Sequence, residues 1–284
     1  MRTACAALCL AAIMLLAGCP ATVGPEGRKQ LLDSQAAYQR GDDTGAIETS
    51  SAFIKQYPTT EEAGEAYYVR GMARVRLNQP TAGKPAINSS ALLAGKPAIN
   101  SSALLAGKQD FQAALGLTKR KDLLCVANLA LGNLAYDDGD MRSAEQHYKA
   151  VLDNTAAGAA PADQALYRLG CVLQRVGRWR EADSYFARLS QLFDKTELSR
   201  RAELRMNATR WSVQAGAFVT KEAAEDMQRK LAAAGLQPRV DLEKRGEQIM
   251  HLVRVGNSPT FDPAQAELPR VQAQVKDAFV TPTH

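Results

Sequence analysis

The chain has 284 residues and a formal net charge of +5, from 35 Lys and Arg against 30 Asp and Glu. This excess is small and dispersed, so it argues against a nucleic-acid ligand, which requires a clustered positive surface. The three histidines, His147, His251 and His284, are scattered and lack metal-type spacing, and no nucleophile has an evident base. We therefore predict a protein that is not an enzyme and that uses no cofactor or metal.

The first 19 residues are predicted to be a targeting segment. They consist of one Arg, a short apolar run and a Leu-Ala-Gly-Cys ending, and the run is too short to cross a bilayer comfortably. The ending resembles the lipobox of bacterial lipoproteins, which implies that Cys19 is lipidated and becomes the mature N-terminus. Pro20 stands where an aspartate would retain a lipoprotein in the inner membrane, so the resemblance implies an outer-membrane lipid anchor facing the periplasm. Residues 20–28 are rich in Pro and Gly and are predicted to be a short tether.

Residues 29–208 are rich in Ala and Leu at helical spacing. Twice a glycine is followed by an alanine after 12 residues and by an aromatic residue after 16. The two sets are Gly132, Ala144 and Tyr148, and Gly170, Ala182 and Phe186. This pattern resembles the tetratricopeptide repeat, a pair of antiparallel helices in which small residues permit close approach and the aromatic ring packs between them. The resemblance implies an α superhelix of such pairs, which binds an unidentified envelope protein, with Tyr67, Arg70 and Arg74 as candidate contacts.

A tandem duplication interrupts one repeat. Residues 82–93 read AGKPAINSSALL, and residues 94–105 repeat the same letters. Removing these 24 residues places Gly71, Gly107 and Phe111 at the offsets of the other repeats. Because a Gly-Lys-Pro step cannot lie within an uninterrupted helix, we predict that residues 82–105 form an enlarged loop between the two helices of this repeat.

The cysteines do not suggest a disulfide framework. Cys5 and Cys9 belong to the predicted leader and Cys19 is the predicted lipidation site, which leaves Cys125 and Cys171. Their offsets within the repeats place them roughly 12 Å apart along parallel helix axes, too far for a disulfide bond. We predict two separate buried thiols.

Residues 209–284 have a different pattern. The run from Arg210 to Phe218 alternates, so it is predicted to be a strand with one buried face. The predicted buried positions are Trp211, Val213, Ala215 and Ala217, and the opposite ones are Ser212, Gln214 and Gly216. A helix from Thr220 to Gly235, strands at 237–242 and 249–255, a helix from about Asp262 and a short strand at 278–281 follow. The order β-α-β-β-α-β predicts a ferredoxin-like, four-stranded α+β domain with both helices on one face.

These residues resemble the sporulation-related repeat (SPOR) domain. The opening aromatic-x-Val-Gln-x-Gly-x-Phe corresponds to Trp211 through Phe218, and the closing Val-Arg-Val-Gly to Val253 through Gly256. The resemblance covers about 70 residues. It implies a domain that binds peptidoglycan, specifically glycan strands stripped of their stem peptides at the septum of dividing cells, through the open face of its sheet.

The candidate binding residues combine this resemblance with the alternation. If Val253 and Val255 face the helices, Leu252 and Arg254 share the open face with Ser212 and Gln214. The complete predicted peptidoglycan-binding set is Ser212, Gln214, Gly216, Ala217, Phe218, Leu252, Arg254 and Phe279. From Arg210 to His284 there are ten Lys and Arg against nine Asp and Glu, which favours an uncharged sugar polymer over a polyanion.

Two functions from different classes remain open at this point. The first is a non-catalytic lipoprotein that is anchored in the outer membrane, binds peptidoglycan during cell division and recruits protein partners with its repeats. The second is a tetratricopeptide scaffold of an outer-membrane assembly or secretion machine, in which the terminal domain binds no glycan.

Overall fold

A computed structural model of the chain describes residues 22–78 and 101–284. The predicted leader with Cys19, the first residues of the tether and most of the duplicated segment lie outside this range. The helices are α1 (Pro25–Gln39), α2 (Asp43–Gln56), α3 (Glu61–Leu77), α4 (Ser101–Leu117), α5 (Lys121–Asp138), α6 (Met141–Asn154), α7 (Ala162–Arg175), α8 (Trp179–Leu192), α9 (Glu197–Glu203), α10 (Lys221–Ala233) and α11 (Phe261–Gln272). The strands are β1 (Arg210–Phe218), β2 (Pro238–Arg245), β3 (Gln248–Ser258) and β4 (Phe279–Thr283).

Helices α1 to α9 form a superhelix of tetratricopeptide-like pairs, as predicted. In the pair of α5 and α6, a Cβ atom added to Gly132 would lie 2.7 Å from the ring of Tyr148. The same distance separates a Cβ at Gly71 in α3 from the ring of Phe111 in α4. Only glycine lets each ring lie directly on the backbone of the facing helix, so the predicted offsets correspond to real contacts.

The turns within the pairs also follow from the sequence. Gly139 ends α5 with a left-handed φ of 82°, and the side chain of the next residue, Asp140, accepts a hydrogen bond from the backbone amide of Ser143. Gly41 has the same conformation, with a φ of 85°, and Asp42 caps α2 in the same way. A Gly-Asp pair therefore both stops one helix and starts the next.

Two predicted boundaries are corrected. Helix α1 begins at Pro25, so residues 25–28 are helical and do not belong to a tether; a proline at the first helical position needs no backbone donor. Helix α4 begins at Ser101, so the last five positions of the predicted loop are helical. Gln109 stands where both copies of the duplicated segment have proline, and the helix can therefore pass through that Gly-Lys step.

The C-terminal domain has the predicted order of elements and forms an antiparallel sheet with strand order β2-β3-β1-β4. Its core lies between one face of the sheet and the helices α10 and α11. Val213 and Val255, which are opposite each other in β1 and β3, are fully buried there, and Leu231 and Val271 come from the two helices. Both helices pack on the same face, as predicted.

A β-bulge at Ala215 breaks the predicted alternation of β1. Gln214 lies opposite Arg254, but Gly216 lies opposite Val253, so two steps along β1 correspond to one step along β3. Because of the extra residue, every residue of β1 after Ala215 points to the sheet face opposite to the one that regular alternation predicts. Phe218 therefore packs against the helix-side core, together with Gly216, and Ala217 moves to the opposite face. The predictions for Ala217 as a core residue and for Gly216 and Phe218 as open-face residues were wrong for this reason.

Trp211 joins the C-terminal domain to the array. Its ring nitrogen Nε1 donates a hydrogen bond to the backbone carbonyl of Gln174 at 2.9 Å, and its ring packs edge-on against Phe261. Trp179, at the start of α8, donates from Nε1 to the carbonyl of Pro259 at 3.0 Å. These contacts lie on the helix side of the sheet, so they leave its other face pointing away from the junction.

Cys125 and Cys171 are both buried and unpaired, as predicted. Among the helices in the described ranges, none is both long and apolar enough to cross a membrane.

Candidate functional site

The sheet face that points away from α10 and α11 carries the candidate site, and we call it the polar face. Its members follow from the strand register, because residues directly opposite each other share a face. They are Ser212, Gln214, Ala217, Arg239, Asp241, Glu243, Met250, Leu252, Arg254, Phe279 and Thr281. Six of the eight predicted site residues lie on this face, and three further charged residues come from β2.

Arg254 lies at the centre of the polar face and is held by two carboxylates. Its Nη1 lies 3.0 Å from Oδ2 of Asp241, and its Nη2 lies 3.2 Å from Oε2 of Glu243. The side chain of Arg254 is only 9% exposed, whereas those of Asp241 and Glu243 are 31% and 36% exposed. Arg254 was predicted to lie on an open surface; its guanidinium is mostly buried and forms ion pairs with two carboxylates that are more exposed than it is.

Ser212 is also occupied by internal contacts. Its hydroxyl donates to the carbonyl of Gly256 at 3.0 Å and accepts a hydrogen bond from Nη2 of Arg239 at 2.7 Å. Arg239 additionally donates from Nε to Asp241 at 3.2 Å. Ser212 is fully buried, so its hydroxyl is engaged within the protein and not open to solvent as predicted.

Gln214 and Leu252 belong to the polar face, but both are buried beneath its other side chains. Gln214 lies opposite Arg254 on one side and Phe279 on the other, and it is 7% exposed. Leu252 lies opposite Ala217 and Asp241 and is fully buried. The prediction that these two residues lie open to solvent was wrong, because neighbouring side chains on the face cover them.

Phe279 is the large apolar group that the polar face presents to solvent. Its side chain is 42% exposed, and it lies beside Gln214 in the register of β1 and β4. Ala217 is exposed on the same face. The accessible surface therefore combines an aromatic ring and a methyl group with the carboxylates of Asp241 and Glu243.

The charges of this face cancel. Arg239 and Arg254 are balanced by Asp241 and Glu243, so no net field selects a polyanion. A carboxylate oxygen accepts hydrogen bonds from hydroxyl and amide donors, and an aromatic ring packs against the apolar C–H face of a sugar. These are groups that the sugar rings of a polysaccharide offer.

The carboxylates were missed in the sequence, although a signal for them was present. In the run PRVDLE, Arg239, Asp241 and Glu243 occupy alternate positions, and Val240 and Leu242 occupy the others. This period of two places the three charged residues on one face of β2. Only the pairing of β2 with β3 shows that they surround Arg254.

A cleft of about 320 Å³ adjoins the end of the polar face. It is lined by Gly235, Leu236, Gln237, Arg239, Gly256, Asn257, Glu267 and Arg270. Arg239 belongs to both the face and the cleft, so the polar groups of the face continue into those at the start of β2 and on α11.

The candidate partner contacts in the array, Arg70 and Arg74, are tied to a buried acid. Nη2 of Arg70 and Nη1 of Arg74 each lie 2.7 Å from an oxygen of Asp110, whose side chain is 3% exposed. Arg70 also lies over the ring of Tyr67, with its Cζ atom 5.0 Å from the centroid. These residues hold α3 against α4.

Among the described residues, no group of His, Cys, Asp and Glu is arranged to bind a metal ion.

Comparison with known proteins agrees with both parts of the fold. The family model of the SPOR domain matches residues 207–282, and a tetratricopeptide repeat model matches residues 164–196. One similar solved structure is a tetratricopeptide repeat protein from Parabacteroides merdae, with 16% sequence identity and a TM-score of 0.46. That alignment covers 63% of this chain and 58% of the other. The comparison with curated proteins gives no match. Residues 207–282 are thus a SPOR domain, and they follow an array of tetratricopeptide-like helix pairs.

Proposed function

We propose that the protein is a non-catalytic component of the bacterial cell envelope that binds glycan strands of peptidoglycan through the polar face of its SPOR domain. The SPOR family binds peptidoglycan, and tetratricopeptide repeats mediate protein interactions, so the two matched families support a peptidoglycan-binding repeat protein. The observation that carries the residue assignment is the pair of carboxylates, Asp241 and Glu243, which Arg254 holds on the same face of the sheet as the exposed ring of Phe279.

Binding on this face combines stacking with directional hydrogen bonds. One sugar ring of the strand packs against Phe279 on β4, and hydroxyl groups of a further sugar donate to Asp241 and Glu243 on β2. Adjacent strands are about 4.8 Å apart, so the path from β4 to β2 is about 14 Å long and accepts more than one linked sugar. Because Arg254 fixes the carboxylates before a ligand arrives, little conformational entropy is lost on binding.

The choice of glycan strands without stem peptides belongs to the same proposal. The central residues of the polar face are buried, and Asp241 and Glu243 are only partly exposed. A glycan strand must therefore approach the sheet closely for the hydroxyl groups of the strand to reach these carboxylates. Bulky peptide substituents would hold the strand away from Phe279. Strands without stem peptides are produced at the division septum, so we further propose that the protein acts there.

The N-terminal segment supplies the proposed location. We propose that Cys19 is lipidated and anchors the protein in the outer membrane, with the array and the SPOR domain in the periplasm. The array then offers a surface to an envelope protein while the SPOR domain holds the cell wall. A Cys19→Ala variant is expected to leave the membrane fraction, and a variant that remains there would contradict the anchor.

A sedimentation assay tests the glycan proposal. The full-length chain is incubated with purified sacculi, with or without prior amidase treatment, and the sedimented fraction is measured. We expect retention that rises as stem peptides are removed. Phe279→Ala and the double change Asp241→Asn with Glu243→Gln should each reduce retention about tenfold.

The matched control is Ile249→Ala. Ile249 is 56% exposed in the same sheet, but the register of β3 places it on the helix side and not on the polar face. Its loss should leave retention unchanged. Equal retention of all variants would move the glycan site away from the polar face.

A scaffold function is the second candidate. The junction favours this function, because Trp179 and Trp211 fix the SPOR domain to the array. In a scaffold, the SPOR domain would serve as a structural support for the array. In that case the full-length chain would not sediment with amidase-treated sacculi under any of these conditions.

A further inference from the structure

Strand β2 is one edge of the sheet, because the strand order is β2-β3-β1-β4. It has eight residues, and its one proline, Pro238, is the first of them. The other edge, β4, has five residues and contains Pro282. A short strand that contains proline is a poor template for a further strand, since proline has no backbone N–H to donate. The edge that a further strand can join is therefore β2.

The pairing with β3 determines which backbone groups of β2 point outwards. Pro238 lies opposite Val255, and because proline cannot donate, this pair is of the kind that exchanges no hydrogen bonds and points its backbone groups outwards. The register is regular to the end of β2, so Val240, Leu242 and Lys244 have the same orientation. Among the described residues, no backbone group of a turn or loop hydrogen-bonds to these three. The edge thus offers their backbone donors and acceptors to a further strand.

The side chains of this edge are apolar on one face of the sheet and charged on the other. On the helix side, Val240 is half-buried and Leu242 is 68% exposed. On the polar face, the side chains of Arg239, Asp241 and Glu243 are 34%, 31% and 36% exposed. An exposed leucine beside open backbone groups is typical of an edge that is covered by another strand.

A second copy of β2 matches this edge when the two strands run antiparallel about a two-fold axis at Asp241. Val240 of each copy then lies opposite Leu242 of the other, so outward backbone groups meet and apolar side chains are paired. Arg239 of each copy lies opposite Glu243 of the other, so the charges are complementary. The two Asp241 side chains meet at the axis, and each lies 3.2 Å from Nε of Arg239 in its own chain.

Neighbouring registers are less favourable. An axis at Leu242 would place Asp241 of each copy opposite Glu243 of the other, and acids that lie directly opposite each other repel. An axis at Val240 would place Leu242 opposite Pro238, which has no N–H to donate. Charge and hydrogen bonding therefore both select the axis at Asp241.

We infer that the protein forms a dimer in which β2 of one copy pairs with β2 of a second copy about this axis. The pairing joins the two four-stranded sheets into one continuous sheet. Because the two-fold axis is perpendicular to the sheet, the polar faces of both copies lie on the same side, and both sets of helices lie on the other. This inference is independent of the proposed glycan binding.

Sedimentation equilibrium of the full-length chain tests the dimer. Every chain carries Cys19→Ala, which prevents the proposed acylation, so that lipid does not contribute to the measured mass. We expect the average mass to rise from that of one chain towards that of two between about 1 and about 300 µM protein. A mass of one chain throughout would leave the edge to a segment of another protein and would overturn the inference.

The variant Leu242→Pro tests whether β2 forms the contact. Proline at this position removes an outward N–H and no hydrogen bond to β3, so it closes the edge while the sheet stays paired. We expect the dimer to weaken at least about tenfold. The control is Leu242→Val, which keeps the N–H and should stay within about twofold of the unsubstituted chain. Equally stable dimers of the two variants would place the contact elsewhere and contradict the inference.

Charge reversals test the register. Arg239→Glu and Glu243→Arg each place like charges opposite each other, so each variant alone should dimerise at least about tenfold more weakly. An equimolar mixture should regain the dimer, because the acids of one variant then lie opposite the arginines of the other. Circular dichroism checks folding, and if either variant fails to fold, the comparison of Leu242→Pro with Leu242→Val decides. A mixture that associates no better than its components would overturn the pairing about Asp241.

Discussion

The glycine–aromatic contacts of the array and the polar face of the sheet are built in different ways. In the array one contact is repeated, with a glycine of the first helix under an aromatic ring of the second, as in Gly170 with Phe186. The polar face occurs once and depends on a bulge at Ala215 and on an ionic network around Arg254. The array contacts serve stability, and the face also places groups where a ligand can reach them.

This difference predicts two classes of variant. Substitutions at the glycine–aromatic contacts should change the free energy of unfolding and leave the affinity of the folded protein for its ligands unaltered. Substitutions on the polar face should change ligand affinity more than stability, because the carboxylates of Asp241 and Glu243 are partly solvated and their ion pairs contribute little to folding.

The largest expected effect is that of Gly170→Val in the array. Its Cβ atom would collide with the ring of Phe186, which is fully buried and cannot move aside, so the free energy of unfolding should fall by about 3 kcal/mol. Urea denaturation monitored by circular dichroism measures the change. Gly116→Ala is the control: no atom lies within 4 Å of its added Cβ, and helix propensity should stabilise this variant by about 0.5 kcal/mol.

The next effect is expected for Asp110→Asn. Loss of the charge leaves Arg70 and Arg74 without their shared counter-ion in a mostly buried site, which should cost about 2 to 3 kcal/mol. The same denaturation assay applies, with the exposed Asp194→Asn as control. A cost below about 0.5 kcal/mol would show that this ion pair is as weak as a surface pair.

A smaller effect on stability and a larger one on binding are expected for Arg254→Met. The methionine fills a similar volume but no longer holds Asp241 and Glu243, so affinity for glycan strands should fall about tenfold. The cost in folding should be about 1 kcal/mol, because the two acids keep contact with solvent. If affinity were unchanged and stability fell by more than about 3 kcal/mol, the network would be structural only.

The smallest effect concerns pH. Burial lowers the pKa of His147, and the nearby charge of Lys108 lowers it further, while Nδ1 of the ring contacts Oδ1 of Asn128 at 2.9 Å. The unfolded chain therefore binds a proton near pH 6.5 that the folded chain accepts only at lower pH. The free energy of unfolding should decline as the pH falls below about 6.5, and it should level off below the pKa that His147 has in the folded protein. His147→Gln should remove this part of the pH dependence, and an unaltered profile would assign it to other groups.

The sequence predicts the repeated features of this molecule better than the unique ones. An offset of 16 residues locates the contacts of Gly132 with Tyr148 and of Gly170 with Phe186, because regular helix pairs convert a fixed spacing into a fixed contact. The β-α-β-β-α-β order was also predictable from periodicity. Asp241 and Glu243 were not found, since their importance depends on the pairing of β2 with β3.

The bulge had no clear signal in the sequence. Ala215 is compatible with a regular strand, and only the register of β1 against β3 shows that it is an extra residue. For that reason the face of Gly216, Ala217 and Phe218 was predicted wrongly, although the strand itself was located correctly.

Isothermal titration of the full-length chain with a short glycan strand lacking stem peptides tests the central claim most directly. Saturable binding by the wild-type chain should weaken at least about tenfold in the double variant Asp241→Asn with Glu243→Gln, while circular dichroism shows an unchanged fold. Equal affinity of the two proteins would contradict the assignment of the polar face as the site of glycan binding.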